Sequence, residues 1–298
     1  MTPGLHGSGS RPSTEALCRL PGEARIETLG NGLAVCLLVN PQAPTVTSAL
    51  WYRAGTRDEE PGHGGTAHFL EHMMFKGSRR YAPGEIDRRT QALGGSNNAF
   101  TSHDATVYYF NFAHDRFEEA LRIEADRMAG VSLDEAEVDS ERQVILEEIS
   151  MYESDPWDAL DQRVQARLFG GHPYGAPVLG TRDELKGTGR ETLAEFHRRF
   201  YRPDNAVLVL AGDVDASALA AVEAHFGDLP PGAAERRHHP AAELPTSMAR
   251  VERRMGEVPR MILMLPAPAA GEADHAAVAL LSSVLGDGRA SRLQRALV

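Results

Sequence analysis

The sequence predicts an α+β fold, a layered α/β sandwich in which one complete domain is followed by the start of a second, similar one. Three observations lead to this prediction. Short runs of β-branched and aromatic residues, typical of strands, alternate irregularly with longer stretches of helical periodicity. A stretch rich in Pro and charged residues interrupts this pattern near residue 230. After it, strand-like segments and then a helical segment appear in the same order as at the start.

The elements of the first domain, residues 25–229, follow from these patterns. Two strand-like runs flank a turn in "RIETLGNGLAVCLLVN", and "TVTSALWYRAG" predicts a third strand. The segment "NAFTSHDATVYYFNFA" predicts one or two more strands, and "NAVLVLAGDV" predicts a buried one. Helices are predicted from residue 65 or 66 to about 77, and over residues 84–93, 116–129, 134–153, 157–169, 190–200 and 216–226.

Three further segments complete the predicted organisation. Residues 1–24 are rich in Gly, Pro and Ser and are expected to form a disordered leader. Residues 230–245 lack periodicity and are predicted to be a linker. Residues 246–298 are predicted to be an incomplete second domain, with a strand pair in "RVERRMGEVPRMILMLPAP" and a helix in "DHAAVALLSSVLGDG".

The composition limits the classes of function. The 298 residues are 42% hydrophobic and 24% charged, which is enough apolar material for a globular core. A net charge of −11 argues against a nucleic-acid partner, because phosphate binding needs clustered Lys and Arg. No signal peptide or membrane segment is visible, so the cytoplasm is the expected location, with a periplasmic or secreted one left open. Two cysteines are too few for a disulfide framework or a cysteine zinc site.

The stretch "HFLEH" predicts a metal-binding helix face. At about 100° per residue, His72 and Glu71 lie about 40° and 60° to either side of His68, so the three side chains project together. The opposite arc is apolar and is expected to pack into the core: Phe69, Leu70, Met73 and Met74. Catalytic zinc usually has three protein ligands, so two histidines require a third ligand from elsewhere.

The segment "SERQVILEEISMY" offers two adjacent carboxylates as that third ligand. The helical wheel surrounds Glu148 with apolar side chains: Val144, Ile145, Met151 and Tyr152. The surroundings of Glu147 are mixed, which predicts that it lies nearer to water. An inward carboxylate is costly unless it is paired or bound to a metal, so Glu148 is the predicted ligand.

Glu141 lies two helical turns before Glu148 on the same face, and two interpretations of it remain open. As a second carboxylate beside the metal, it would orient a ligand by hydrogen bonding. Alternatively, it forms an ordinary ion pair with Arg142 or Arg127.

H-x-x-E-H is the inverted zinc motif of the inverzincins. With it, the chain resembles the pitrilysin/insulinase family, most closely its mitochondrial-processing-peptidase-like bacterial branch. The resemblance rests on stretches that run in the family's order from Arg25 to the end: "GTAHFLEHMMFKGS", "GGSNNAFTSHDATVYY", "ERQVILEEI", "HPYGAPVLGT", "FYRPDNAVLVLAGDVD" and "LGDGRASRL". It implies a metallohydrolase roll of the pitrilysin/processing-peptidase type.

The resemblance also implies a role for each site residue. His68, His72 and Glu148 match the ligands of a Zn²⁺ cofactor, and Glu141 matches the family's second acidic residue near the metal. Glu71 matches the general base, which takes a proton from the zinc-bound water. The implied function is a zinc-dependent endopeptidase that hydrolyses peptides or unfolded protein segments.

The segment "GGSNNAF" resembles the family's edge strand, whose backbone accepts an extended peptide as an added strand. Asn98, Ala99 and Phe100 occupy the matching positions. From the residues alone, turn chemistry after the Gly-Gly pair is the favoured explanation of Asn97 and Asn98.

Family members are built from two related domains that close around a peptide, and the later half of the second supplies an Arg and a Tyr that hold substrate. This sequence ends before such residues, so a truncated or non-catalytic partner subunit of the same fold is the alternative function, and a homo- or heterodimer with a related subunit is a possible assembly. A non-catalytic subunit would be expected to have lost the pentad, which is complete here. A hydrolase of non-peptide substrates would lack the peptide-binding edge, so peptide hydrolysis is favoured.

Overall fold

In a computed structural model, the chain is described over residues 24–232, 238–247, 250–251 and 256–297. A six-stranded mixed sheet carries helices packed on one face, which confirms the predicted α+β layered fold. The predicted leader, residues 1–24, lies outside the described residues except for Ala24, the first residue of the first strand.

The six strands are β1 (Ala24–Thr28), β2 (Ala34–Val39), β3 (Thr45–Tyr52), β4 (Ser96–Thr101), β5 (Thr106–Ala113) and β6 (Ala206–Gly212). They lie side by side in the order β1-β2-β6-β3-β5-β4. Strands β2 and β6 pair in parallel, and the other neighbours pair antiparallel. Strand β4 therefore forms one edge of the sheet.

The helices agree with the sequence prediction to within a few residues at most ends. They are α1 (Thr66–Met73), α2 (Glu85–Ala92), α3 (Glu118–Ala129), α4 (Glu135–Ser154), α5 (Pro156–Phe169), α6 (Arg182–Gly187), α7 (Arg190–Phe200), α8 (Ser217–Phe226), α9 (His275–Gly286) and α10 (Arg292–Leu297). The short helix α6 was not predicted. None of the helices within the described ranges is long and apolar enough to span a bilayer.

The core lies between the sheet and its helices. Successive side chains of a strand point to opposite faces, and the buried ones alternate accordingly on β3 and β6. The buried set includes residues from β3, α1, α7 and α8: Val46, Leu50, Tyr52, Phe69, Leu70, Leu193, Phe200, Val222 and Phe226. Helix α1 packs against β4, α4 and α7, and this placement puts the histidine helix at the edge of the sheet.

Of the strand pair predicted in residues 250–268, residues 252–255 lie outside the described residues, and the strand predicted after them is wrong. Residues 256–270 contain neither strand nor helix, and none of the strand pairs includes them. A strand needs a neighbour to complete its hydrogen bonds, and apolar alternation alone cannot supply one. The predicted helix is confirmed as α9, although its large apolar side chains are exposed: Leu280, Leu281, Val284 and Leu285.

Candidate metal centre and active site

Helix α1 has the orientation predicted for it. Phe69, Leu70, Met73 and Met74 are completely buried. His68, Glu71 and His72 project from the other side, towards α4 and β4. The local sequence therefore separates an anchoring face from a polar face within two helical turns.

Two contacts fix the start of α1. Gly65 precedes the helix with φ +86°, and a Cβ atom there would lie 2.3 Å from the carbonyl oxygen of Leu179, so both backbone angle and space favour glycine. The Glu59 carboxylate accepts hydrogen bonds from the N–H groups of Gly65 (3.0 Å) and Ala67 (2.8 Å). It thereby supplies the acceptors that the first turn of a helix lacks. Burial raises the pKa of Glu59 to about 8, although these two bonds oppose the shift.

Three ligand-type atoms converge where α1 meets α4. The Nε2 atoms of His68 and His72 lie 3.8 and 3.7 Å from Oε2 of Glu148. One ligand atom from each of these residues lies within 4.8 Å of the other two. The two Nε2–Oε2 separations are too long for hydrogen bonds, so these atoms face one another without bonding directly. The structure thus brings together the three predicted ligands.

This donor set fits zinc. Two imidazoles and one carboxylate form a known set for catalytic zinc. Ligand bonds of about 2.0–2.1 Å in a tetrahedron place ligand atoms about 3.4 Å apart, close to the separations seen here. Burial, followed by the neighbouring His72, lowers the pKa of His68 to about 3. His68 is therefore neutral near pH 7, and its imidazole can offer a lone pair to a cation.

The choice of Glu148 over Glu147 agrees with the geometry, but part of the reason given for it is wrong. Glu147 is exposed, whereas Glu148 is half-buried and faces both histidines. Of the apolar neighbours predicted to surround Glu148, Val144 and Met151 are 49% and 62% exposed. The core-facing stripe of α4 is instead formed by Val138, Glu141, Ile145 and Ile149. Glu148 therefore lies on the border of that stripe, where its carboxylate faces His68 and His72.

Glu141 contacts His72 and Lys76 rather than either arginine considered for it. Its Oε1 accepts a hydrogen bond from Nδ1 of His72 at 2.8 Å, and its Oε2 lies 2.6 Å from Nζ of Lys76. Arg142 bonds to Asp139 and to backbone carbonyls, and Arg127 pairs with Glu124.

These contacts also decide the charge of Glu141. Burial alone would raise the pKa of Glu141, but hydrogen bonds from Lys76 and His72 outweigh it and hold the pKa below its usual value. A carboxylate that accepts the second N–H of a ligating imidazole fixes the ring and makes the other nitrogen more basic. The geometry thus favours the ligand-orienting interpretation of Glu141.

Replacing Glu141 by Gln should weaken zinc binding by about 10- to 100-fold, the usual cost of losing such a partner. The amide keeps an acceptor for His72 but removes the negative charge, and Lys76 then remains as a nearby cation. Competition with a chelator measures the affinity, and Glu135→Gln, an exposed change at the start of the same helix, is the control. Equal affinities for the two variants would contradict the role assigned to Glu141.

Glu71 lies beside the three ligand-type residues and is not part of their cluster. Its Oε2 accepts a hydrogen bond from Oγ1 of Thr101, the last residue of β4, at 2.5 Å. Burial raises the pKa of Glu71, against the lowering effects of this bond and of His72. A buried carboxylate in this position, beside the three ligand-type residues, can accept and return a proton.

The predicted peptide-binding residues lie on the edge strand β4. Asn98 and Phe100 are exposed, and Ala99 is half-buried against the core and α1. The Ala99 N–H donates to Oδ1 of Asn98 at 2.9 Å, and the Phe100 ring meets Trp51 edge-on at 5.8 Å. Asn97 and Asn98 are strand residues here, so the turn interpretation is wrong for them. Their role in binding substrate stays a prediction.

Sequence analysis missed three residues of this site: Glu59, Lys76 and Thr101. Lys76 lies one turn after His72, a spacing that could have indicated a shared partner. Glu59 and Thr101 reach α1 and its N-terminal cap only after the chain has folded. No local sequence pattern therefore identifies them.

The chain matches known families along most of its length. Residues 34–182 match the family described as Insulinase (Peptidase family M16), and residues 189–298 match the one described as Peptidase M16 inactive domain. An uncharacterized zinc protease of Streptomyces coelicolor is 33% identical over 279 residues, which cover 91% of this chain and 61% of that protein. The beta subunit of the mitochondrial-processing peptidase of Lentinula edodes is 35% identical over 206 residues, which cover 69% and 44%.

A solved structure shares the fold. The crystal structure of a protease from Helicobacter pylori superposes with a TM-score of 0.81 at 27% identity, over 93% of this chain and 68% of that one. The chain spans 61% and 44% of the two curated relatives above, so it corresponds to part of their length. The sequence matches, the shared fold and the convergent His-His-Glu group agree, and the chain belongs to the insulinase family, peptidase family M16.

Proposed function

We propose that this protein is a zinc-dependent endopeptidase that hydrolyses peptides or unfolded protein segments. The observation that carries the proposal is the convergence of His68, His72 and Glu148, with Glu71 beside them and an open strand edge next to Glu71. A metal site, a base and a peptide-docking edge in one place are the parts that peptide hydrolysis requires. The relatives named as zinc proteases support the same activity.

Each residue has a separate task in this proposal. His68, His72 and Glu148 hold the zinc, and Glu141 orients the His72 ring. When bound, zinc acts as a Lewis acid that acidifies a water molecule and polarises the scissile carbonyl. Glu71 accepts the proton of that water on a carboxylate oxygen and returns it to the amine that leaves. Thr101 occupies Oε2, so Oε1 is the oxygen available for the proton.

Strand β4 supplies the peptide with a backbone partner. Its N–H and C=O groups on the side away from β5 form the edge of the sheet. An extended peptide that pairs there completes the ladder, and the hydrogen bond between Thr101 and Glu71 supports a position for its backbone beside the proposed metal ligands. Main-chain pairing of this kind is tolerant of sequence, which suits a substrate class of unfolded segments.

The same proposal includes the protein's partners and location. The chain covers only part of its relatives' length, and a second domain that closes over the peptide is part of the proposal. Pairing with a related subunit, as a homo- or heterodimer, and action in the cytoplasm are further parts of the proposal.

Zinc content gives the first test. The purified chain should bind about one zinc per molecule, and replacement of both His68 and His72 by alanine should abolish binding, because a single carboxylate is left. Metal analysis after dialysis measures the content, and His225→Ala, a change on α8, is the control. Undiminished zinc in the double variant would refute the site.

Cleavage of a quenched peptide library by the zinc-loaded chain then tests the activity. Cleavage that stops in the double histidine variant supports the endopeptidase. Stoichiometric zinc without cleavage would favour the alternative, a non-catalytic or truncated partner subunit. The description of residues 189–298 as an inactive domain is the observation that keeps this alternative open.

A further inference from the structure

We propose that Thr101 is a positioning residue for the general base: its hydroxyl holds the Glu71 carboxylate and links it to the strand on which the peptide docks. The inference rests on the proposed peptidase function and deepens it. Thr101 Oγ1 donates to Glu71 Oε2 across 30 residues of sequence, at 2.5 Å. A hydrogen bond to a charged group is among the stronger ones in proteins.

The geometry explains why this bond matters to Glu71. Glu71 lies near the C-terminal end of α1, and helical packing fixes its Cα but leaves three side-chain torsions free. The hydrogen bond from Thr101 to one carboxylate oxygen restricts most of these torsions. The remaining oxygen is then presented in a fixed direction beside the two histidines, and fixed direction is a large part of what makes a base effective.

The position of Thr101 on β4 adds a connection to substrate. Side chains alternate along a strand, so Asn98 and Phe100 point away from α1, whereas Ala99 and Thr101 point towards it. The strand that would pair with a peptide therefore also carries the hydroxyl that holds the base.

The test uses two changes at Thr101 and one matched control. Thr101→Val keeps the shape and the strand preference of the residue but removes the donor, and Thr101→Ser keeps the donor. Thr47→Val is the control, because Thr47 is also a strand residue whose hydroxyl donates to a side chain on the next strand, Asn111, at 2.7 Å. All three are made in the full chain loaded with zinc.

For a peptide long enough to cover β4, Thr101→Val should lower kcat about tenfold, while KM and zinc affinity change less than about twofold. Thr101→Ser should keep most of the activity, and Thr47→Val should keep all of it. A kcat for Thr101→Val equal to that of Thr47→Val would overturn the inference. So would an equal loss in Thr101→Ser, or a matching loss of zinc affinity, since either would indicate general disruption.

A measurement without turnover tests the contact itself. Thr101→Val should lower the urea midpoint of unfolding more in the wild-type background than in Glu71→Ala, because only the former contains the bond. Equal shifts in the two backgrounds would overturn the inference whatever the activity. If the wild-type chain binds zinc but cleaves no peptide, the proposed function fails and the role of Thr101 in catalysis fails with it. If the wild type is active and Thr101→Val has the same kcat, the inference about Thr101 is overturned and the proposed function stands.

Discussion

Replacing Glu71 by Gln is expected to lower peptide turnover by a factor on the order of 10² to 10⁴ while zinc stays bound. The amide has almost the same volume as the carboxylate and can still accept the Thr101 hydroxyl, so the local packing survives. It cannot accept a proton near neutral pH, so the base is lost. The three ligand atoms belong to other residues, and the site therefore keeps its metal.

Two measurements on the same sample check this expectation. Zinc content and the rate of cleavage of a peptide are determined for the wild type, for Glu71→Gln and for Glu195→Gln. The last is a matched control, because Glu195 is an exposed residue of α7 that pairs with Arg198. Loss of zinc together with activity would instead show that Glu71 is a ligand. An unchanged rate would show that another group accepts the proton.

The part of this site that could be predicted from sequence is the part that one helix determines. Three residues within five positions have a fixed angular relation on a helix, so His68, Glu71 and His72 could be placed on one face without knowledge of the fold. Their apolar counterparts confirmed the orientation, because Phe69 and Leu70 are completely buried. Most helices and strands could also be located, because the periodicity of neighbouring residues within an element does not depend on the rest of the fold.

Features that depend on distant parts of the chain were not predicted. The bonds from Thr101 to Glu71 and from Ala67 to Glu59 form only after the chain has folded back on itself. The sequence also could not show that β4 is an edge strand, since strand order depends on pairing across the whole domain. The strand expected within residues 256–268, which the structure describes, did not form for a related reason, because apolar alternation does not specify a partner.

The third ligand is an intermediate case. The wheel argument placed Glu148 inward because it assumed that the apolar neighbours Val144 and Met151 face the core, and both are exposed. The conclusion agrees with the structure because Glu148 still lies closer to the buried stripe of α4 than Glu147 does. A sequence pattern alone does not distinguish apolar residues of a helix that face the core from apolar residues that stay exposed.

The adjacent carboxylates of α4 provide the sharpest test of the metal site. Glu148→Gln is expected to weaken zinc binding by more than about 100-fold, beyond the 10- to 100-fold cost of losing an outer partner. A neutral amide is a poor zinc ligand, and the site loses a negative charge that faces both histidines. Glu147→Gln is expected to change the affinity less than about twofold, because its carboxylate is exposed to solvent and is not among the converging ligand-type groups.

The comparison is strong because the two variants share the same chemical change, helix and net charge. Any effect of net charge on the protein as a whole is common to both variants. Their side chains diverge by about 100°, so the difference between the two zinc affinities depends on the direction in which each carboxylate points. Chelator competition gives the two affinities under one condition. Equal losses would mean that general charge, rather than ligation, attracts the metal. A larger loss for Glu147→Gln would mean that α4 is rotated relative to α1 in solution, and the third ligand would then have to be reassigned.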